Sequence, residues 1–228
     1  MRIQFSISKT ANFFFFVSNL SEWHCSCRKE YNKKWITQTC EITEIESNAI
    51  KSISPLLKKY GFRKDRAYIG NLFFTPRNSS PHKSIKKIIR EKDRMILSRA
   101  MKILLPRFNL IWEKELKHNR LGIIKKILTT SRYENYLHDI QFFFGDDKSP
   151  KINVVVLLSP LDNNETAAGG ANLCSPYITF EIPRLENNSW QTEYSIHVLG
   201  HEIAHMFFHT SGKEKLIEKA LQISGMPK

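Results

Sequence analysis

His197-Val-Leu-Gly-His201-Glu202-Ile-Ala-His205-Met-Phe-Phe-His209 is the stretch on which the reading of this chain turns. Within it, His201, Glu202 and His205 form His-Glu-x-x-His. Residues four apart on an α-helix lie one above the other on one face, so the imidazoles of His201 and His205 can aim at a single metal ion. Glu202 sits one residue round from the first of them, beside any water the metal carries. Zinc takes neutral imidazole nitrogens at short range and, for catalysis, keeps one coordination position open. The spacing therefore supplies two metal ligands, His201 and His205, and a base, Glu202.

The flanks fit a helix. Ile196, Val198, Leu199, Ile203, Ala204, Met206 and Phe207 surround the motif with apolar residues, as for a helix buried in a core. Thr192 with Glu193 makes the expected start, and Ser211-Gly212 the expected stop. Gly200 costs about 1 kcal/mol relative to Ala inside a helix and would admit the close approach of another backbone. The competing reading is a buried amphipathic helix whose histidines only hydrogen-bond. Metal is preferred because Glu202 between two buried histidines is costly unless something pairs them.

On His201, Glu202 and His205, within Val198-Leu-Gly-His-Glu-Ile-Ala-His-Met-Phe-Phe208, the chain resembles the zincin metallopeptidases. The resemblance extends upstream through Lys151-Ile-Asn-Val-Val-Val-Leu-Leu158, which reads as a buried strand, and Tyr177-Ile-Thr-Phe-Glu-Ile182, which reads as an alternating, half-exposed one. It covers residues 151–212 and implies an order of strand, edge strand and metal helix, with Tyr177 to Ile182 as the edge along which an extended peptide substrate pairs. It implies Zn2+ as cofactor and hydrolysis of peptide bonds by metal-activated water, with Glu202 as general base.

The third ligand departs from the patterns of that superfamily. Metzincins place a Gly and then a third His after the second ligand; the corresponding positions here are Phe208 and Ser211. Gluzincins carry a Glu on a following helix. Glu214 and Glu218 lie on the expected helix 213–223, where Glu218 is closely spaced for a ligand and both fit a solvated Lys/Glu face. His197 and His209 sit on the same helix as the pair, and His209 is roughly 12 Å along the axis from His201. Three ligands from one straight helix rarely converge, so these two are read as a polar stripe. The sequence ends at Gly225-Met226-Pro227-Lys228, where a gluzincin would continue, and this fits a truncated member.

The rest of the chain sets looser bounds. The expected class is α+β: residues 1–150 mainly helical with an N-terminal strand, then 151–228 as strand, loop, strand and metal helix, in one continuous domain. Asn12 to Val17 is expected as a buried strand, because the run Phe13-Phe-Phe-Phe-Val17 is too short for a membrane span and lacks a cleavage site after it. Helices are expected over 46–60 with a break at Pro55, over 81–105 ended by Pro106, over 107–128 and over 131–144. Residues 71–81 and 145–150 read as loop and boundary, and 159–176 as a long Gly-containing loop at the site's rim. The four cysteines, 25, 27, 40 and 174, fit free, buried thiols of a reducing compartment, hence a cytoplasmic protein. His24-Cys25-Ser26-Cys27 lacks the second cluster a zinc site needs.

A net charge of +13, concentrated between Lys58 and Lys126, invites a nucleic-acid reading. No helix-turn-helix, finger spacing or stacking motif supports it, so a nucleic-acid partner is not expected and the charge reads as a solvated face. Two alternatives to a zinc peptidase stay open: an inactive or truncated peptidase-like remnant, and a basic helical binding module in which His-Glu-x-x-His is coincidental.

Overall fold

The computed structural model describes residues 2–63, 66–67, 69–76, 82–144, 151–162, 169–171, 177–184, 189–210 and 215. The chain opens with strand β1 (Arg2–Ile7) and helix α1 (Lys9–Leu20), followed by α2 (Lys29–Gln38) and α3 (Glu44–Tyr60). A two-stranded ribbon, β2 (Phe62–Arg63) with β3 (Arg66–Ala67), leads to α4 (Gly70–Phe73), α5 (His82–Ile88), α6 (Glu91–Glu115), α7 (Arg120–Leu128) and α8 (Ser131–Phe143). Strands β4 (Lys151–Leu158), β5 (Gly169–Ala171) and β6 (Tyr177–Ile182) then precede α9 (Ser189–Thr210). The class is α+β: a helical first part, then a small sheet and the histidine-bearing helix.

The phenylalanine run is helical, not the strand expected from its apolarity. A short apolar run carries no period that separates strand from buried helix, and here the cap decides. Ser8 is extended and buried, and its hydroxyl accepts from the Ala11 N–H at 3.3 Å, which starts α1. Phe14, Phe15, Phe16 and Val17 are all buried, because α1 lies between the sheet and the helices α2, α3 and α6. Asn12 fixes it there. Its amide donates to the Val156 carbonyl at 2.9 Å and accepts from the Leu158 N–H at 2.7 Å. The β1–β4 register ends at Ile7 opposite Val156, so Asn12 carries on the ladder where β1 has left it.

Two prolines predicted to break helices do not. Pro55 lies inside α3 and Pro106 inside α6. Each faces solvent, as do Lys51 and Lys102, whose carbonyls lose their partner four residues on, so water can satisfy those carbonyls. The long basic helix breaks elsewhere: Arg90 adopts φ −57°, ψ 149°, and α6 starts afresh with Glu91 and Asp93 in its first turn. In α3 the start is fixed by a capping box. Thr43 Oγ1 accepts from the Glu46 N–H, and the Glu46 carboxylate accepts from the Thr43 N–H.

The main sheet has the order β1-β4-β6-β5, with β1, β4 and β6 parallel and β5 antiparallel to β6. The first strand of the chain thus joins the C-terminal strands in one sheet. β6 is an interior strand and β5 the edge, which corrects the expectation that Tyr177 to Ile182 would be the edge. Accordingly β6 is buried on both faces at Ile178, Thr179 and Phe180, with no half-exposed alternation. Val155 and Leu157 face the core built by α1, α2, α3 and α6. Ile152, Val154, Val156, Ile178, Phe180 and Ile182 face a second core, with Ile124, Tyr133 and Leu137 of α7 and α8 and the apolar side of α9.

Buried charges tie the loops to this frame. Arg107, on α6, donates to both carboxylate oxygens of Glu46 at 2.8 and 2.7 Å, to Thr39 Oγ1 and to the Cys40 and Glu41 carbonyls. Its hydrogen bonds hold the Glu46 carboxyl down to a pKa of about 2. Glu115 accepts from Arg120 and Arg184, and Arg184 reaches on to Asp162 at 3.1 Å. Among the described residues no helix is long and apolar enough to cross a membrane.

Candidate metal centre

The helix that carries the motif, α9, begins at Ser189, earlier than Thr192; its expected stop, Ser211-Gly212, lies outside the described residues. Its core side is Ile196, Leu199, Ile203 and Phe207, spaced at three and four residues and each at most 1% exposed. Both β5 and β6 pack against it, as does α8. Burying this side turns the histidines to the opposite one. His197, His201 and His205 are all exposed. This corrects the expectation of two buried imidazoles around the glutamate. Glu202 alone of the motif's three polar residues is buried, at 7% exposure.

The two candidate ligands converge. His201 Nε2 and His205 Nε2 lie 2.9 Å apart, with the rings nearly perpendicular. At that distance the two imidazoles share a hydrogen bond; two nitrogens held by one tetrahedral zinc at ~2.0–2.1 Å each would stand ~3.3 Å apart, so a metal would replace that bond with a slightly wider spacing. An exposed imidazole pair on a helix also meets little desolvation cost as it trades water for metal. On donor chemistry and spacing, the pair fits two positions of a zinc ion. Among the described residues no third His, Cys, Asp or Glu joins it. Glu214 and Glu218 lie outside the described residues, as do residues 163–168 and 172–176 of the long loop. The described part of that loop, Gly169–Ala171, is the edge strand β5.

One neighbour was not visible in the sequence. Gly200 was expected to admit a backbone; it admits the ring of Tyr136 from α8. A Cβ at position 200 would meet Tyr136 Cε1 at 2.4 Å and its hydroxyl at 2.5 Å. The same ring meets His197 edge-on, with centroids 5.7 Å apart. Tyr136 therefore sits beside the backbone that presents His201. Burial pushes its phenol up from the ordinary tyrosine value. The only sequence signal for it was the unexplained glycine inside a helix.

Other candidate ligands separate from this site. His24 bonds Ser26 through Nδ1 at 2.8 Å, in an exposed turn. Cys25 and Cys40 are exposed and Cys27 half-buried, all three free, so these thiols are not the buried ones expected; Cys174 lies outside the described residues. The chain matches no protein-family model, no curated protein and no solved structure.

Proposed function

We propose that this chain is a zinc-dependent peptidase of the zincin type, closest in its motif to gluzincins. His201 and His205 hold the metal and Glu202 serves as general base. The observation that carries the reading is the convergence of the two imidazole nitrogens at 2.9 Å on one face of α9, with Glu202 buried in the next position round. Zinc, when bound, supplies a water of lowered pKa and polarises the scissile carbonyl. The Glu202 carboxylate takes the proton of the attacking water and returns it to the departing amine. The substrate is a peptide or protein segment. With β5 as the sheet edge beside α9, an extended substrate pairs with β5. Free thiols at Cys25, Cys27 and Cys40 fit a reducing compartment such as the cytoplasm.

The test is zinc per chain in the purified protein, measured with His201→Ala, His205→Ala and Glu202→Gln alongside. About one zinc in the parent, little in either histidine variant, and full zinc without peptide hydrolysis in Glu202→Gln are the expected results. A folded parent that takes up no zinc overturns the reading. Zinc uptake without hydrolysis of any peptide in a diverse library would reduce it to a metal-binding remnant.

A further inference from the structure

Nearly all of the chain's net charge comes from one stretch. Residues 51–102 hold fifteen Lys and Arg against three Asp and Glu, while the rest of the chain holds twenty against nineteen. A sequence merely rich in lysine would spread its excess, so composition alone does not account for this segregation. The fold then gathers the charge. Lys59 donates to Asp93 at 2.7 Å, which sets Lys58 and Lys59, at the end of α3, beside Lys92 and Arg94, at the start of α6. Arg94 in turn donates to the Lys86 carbonyl at 3.4 Å, which brings up Lys86 and Lys87 of α5. Arg90 joins α5 to α6, and Arg99 and Lys102 continue along α6, ~10 and ~15 Å from Lys92 by helix rise. Every one of these cations is exposed except Arg94, which is half-buried. Of the three carboxylates, Asp93 is taken up by Lys59 and by the Tyr60 hydroxyl at 2.6 Å, and Asp65 lies outside the described residues, which leaves Glu91.

The make-up of this surface chooses among polyanions. A protein–protein interface has an apolar core and keeps its charge to the rim. Among the described residues, Met95 is the one exposed large apolar side chain between these cations. Stable attachment to a membrane takes apolar insertion as well as basic charge. Exposed Ile45, Leu105 and Leu110 stand toward the other end of the α3–α6 pair, near the Glu46–Arg107 contact and in the company of Glu44 and Glu113, which an anionic bilayer would repel. Single strands are held by stacking on aromatics, and the exposed aromatics among the described residues, Phe142 and Phe143, are on α8. A duplex asks only for cations that meet its phosphates, and its protein interfaces are far more positive than those between proteins. α6 holds its cations on a firm base, because Leu97, Ala100 and Leu104 on its inner side are each at most 2% exposed. The lack of a base-reading motif in the sequence agrees with this, since phosphate contacts carry no sequence information. We propose that α5, the start of α6 and the end of α3 bind the phosphate backbone of a nucleic-acid duplex without regard to sequence. This surface belongs to the core on the opposite face of the sheet from α9, so it stands whether or not the candidate metal centre does.

The probes are labelled short duplexes of DNA and of RNA, titrated with the full chain and followed by fluorescence anisotropy. Binding of either duplex is expected, unchanged when its sequence is scrambled. With about five phosphates neutralised, affinity should fall roughly 500-fold between about 50 and 200 mM salt. Lys86→Glu with Lys87→Glu and Arg90→Glu should weaken binding by about tenfold or more. The same reversals at Lys117, Lys125 and Lys126, exposed cations elsewhere, change the net charge equally and should weaken it by less than about threefold. Thermal melting of each variant checks the fold, and Lys92→Glu with Arg99→Glu gives a second reading should the first variant melt early. No binding of a duplex at low salt, or equal losses from the two sets of three reversals, would overturn the proposal. So would tighter binding to phosphatidylserine vesicles, to poly-glutamate or to single strands than to either duplex.

Discussion

The two faces of the main sheet are built differently. The face covered by α1, α2, α3 and α6 is dense with aromatics: Phe15 and Phe16 meet Trp35 edge-on, and Phe14 stacks on Phe73 with centroids 4.4 Å apart. It is closed by polar anchors that leave little freedom, chiefly Arg107 and Asn12. The face covered by α7, α8 and α9 is mostly aliphatic, and its helices present a row of exposed histidines. Stacked aromatics and polar anchors thus lie on one side of the sheet, and the candidate metal ligands on a helix of the other. A rigid scaffold behind a more open face suits a site whose side chains must exchange water for ligand.

The sharpest way to break that comparison is Arg107→Met. It leaves two backbone carbonyls without their donor and the part-buried Glu46 carboxylate with Thr43 alone, which should cost about 3–4 kcal/mol. A denaturant melt shifted by less than about 1 kcal/mol would mean the anchor is dispensable. Next is Asn12→Leu, which strips partners from the Val156 carbonyl and the Leu158 N–H. Two buried backbone groups left unpaired should cost about 2–4 kcal/mol in the same melt. On the open face, Gly200→Ala drives a methyl into Tyr136. An overpacking loss of about 1–3 kcal/mol is expected, mostly recovered in the double variant with Tyr136→Ala. Additive losses would show that the ring does not set the tolerance at position 200.

A smaller effect tests the anchored face through pH. Tyr31 donates to Glu181 Oε2 at 2.6 Å, yet burial dominates and pushes the Glu181 carboxyl up to about 7. A carboxyl raised on folding binds more protons native than unfolded, so its contribution is full below the ordinary range and is lost as pH rises through about 7. Glu181→Gln should therefore gain about 1–3 kcal/mol over the parent at pH 8 and little at pH 4.5. A gain independent of pH would place the carboxyl in a wetter setting. The smallest effect belongs to the open face: His201→Ala and His205→Ala, both exposed, should move stability by less than about 0.5 kcal/mol without zinc.

How much of this was legible follows from which signals are local. The α9 motif, the buried strand β4 and the α8 span were readable because period and composition agree over a full element. β6 was readable as a strand but not as an interior one. Its outer neighbour β5 is three residues of Gly-Gly-Ala, which carry no strand propensity at all. The exposure of His201 and His205 depends on which side of α9 meets β6 and α8, and that is a tertiary fact. The helix α1 is not legible locally, because its decisive residue, Ser8, precedes the apolar run and its decisive partner, β4, lies 144 residues from Asn12.

That last distance has a consequence for how the chain is made. Arg2 to Asn12 leave the ribosome well before the residues they pair with, Lys151 to Leu158. At ~5–20 residues per second the interval is roughly 7–30 s, during which a helix bearing four consecutive phenylalanines has no sheet to lie on. Helix α1 thus needs shelter until β4 has been made, 144 residues after Asn12.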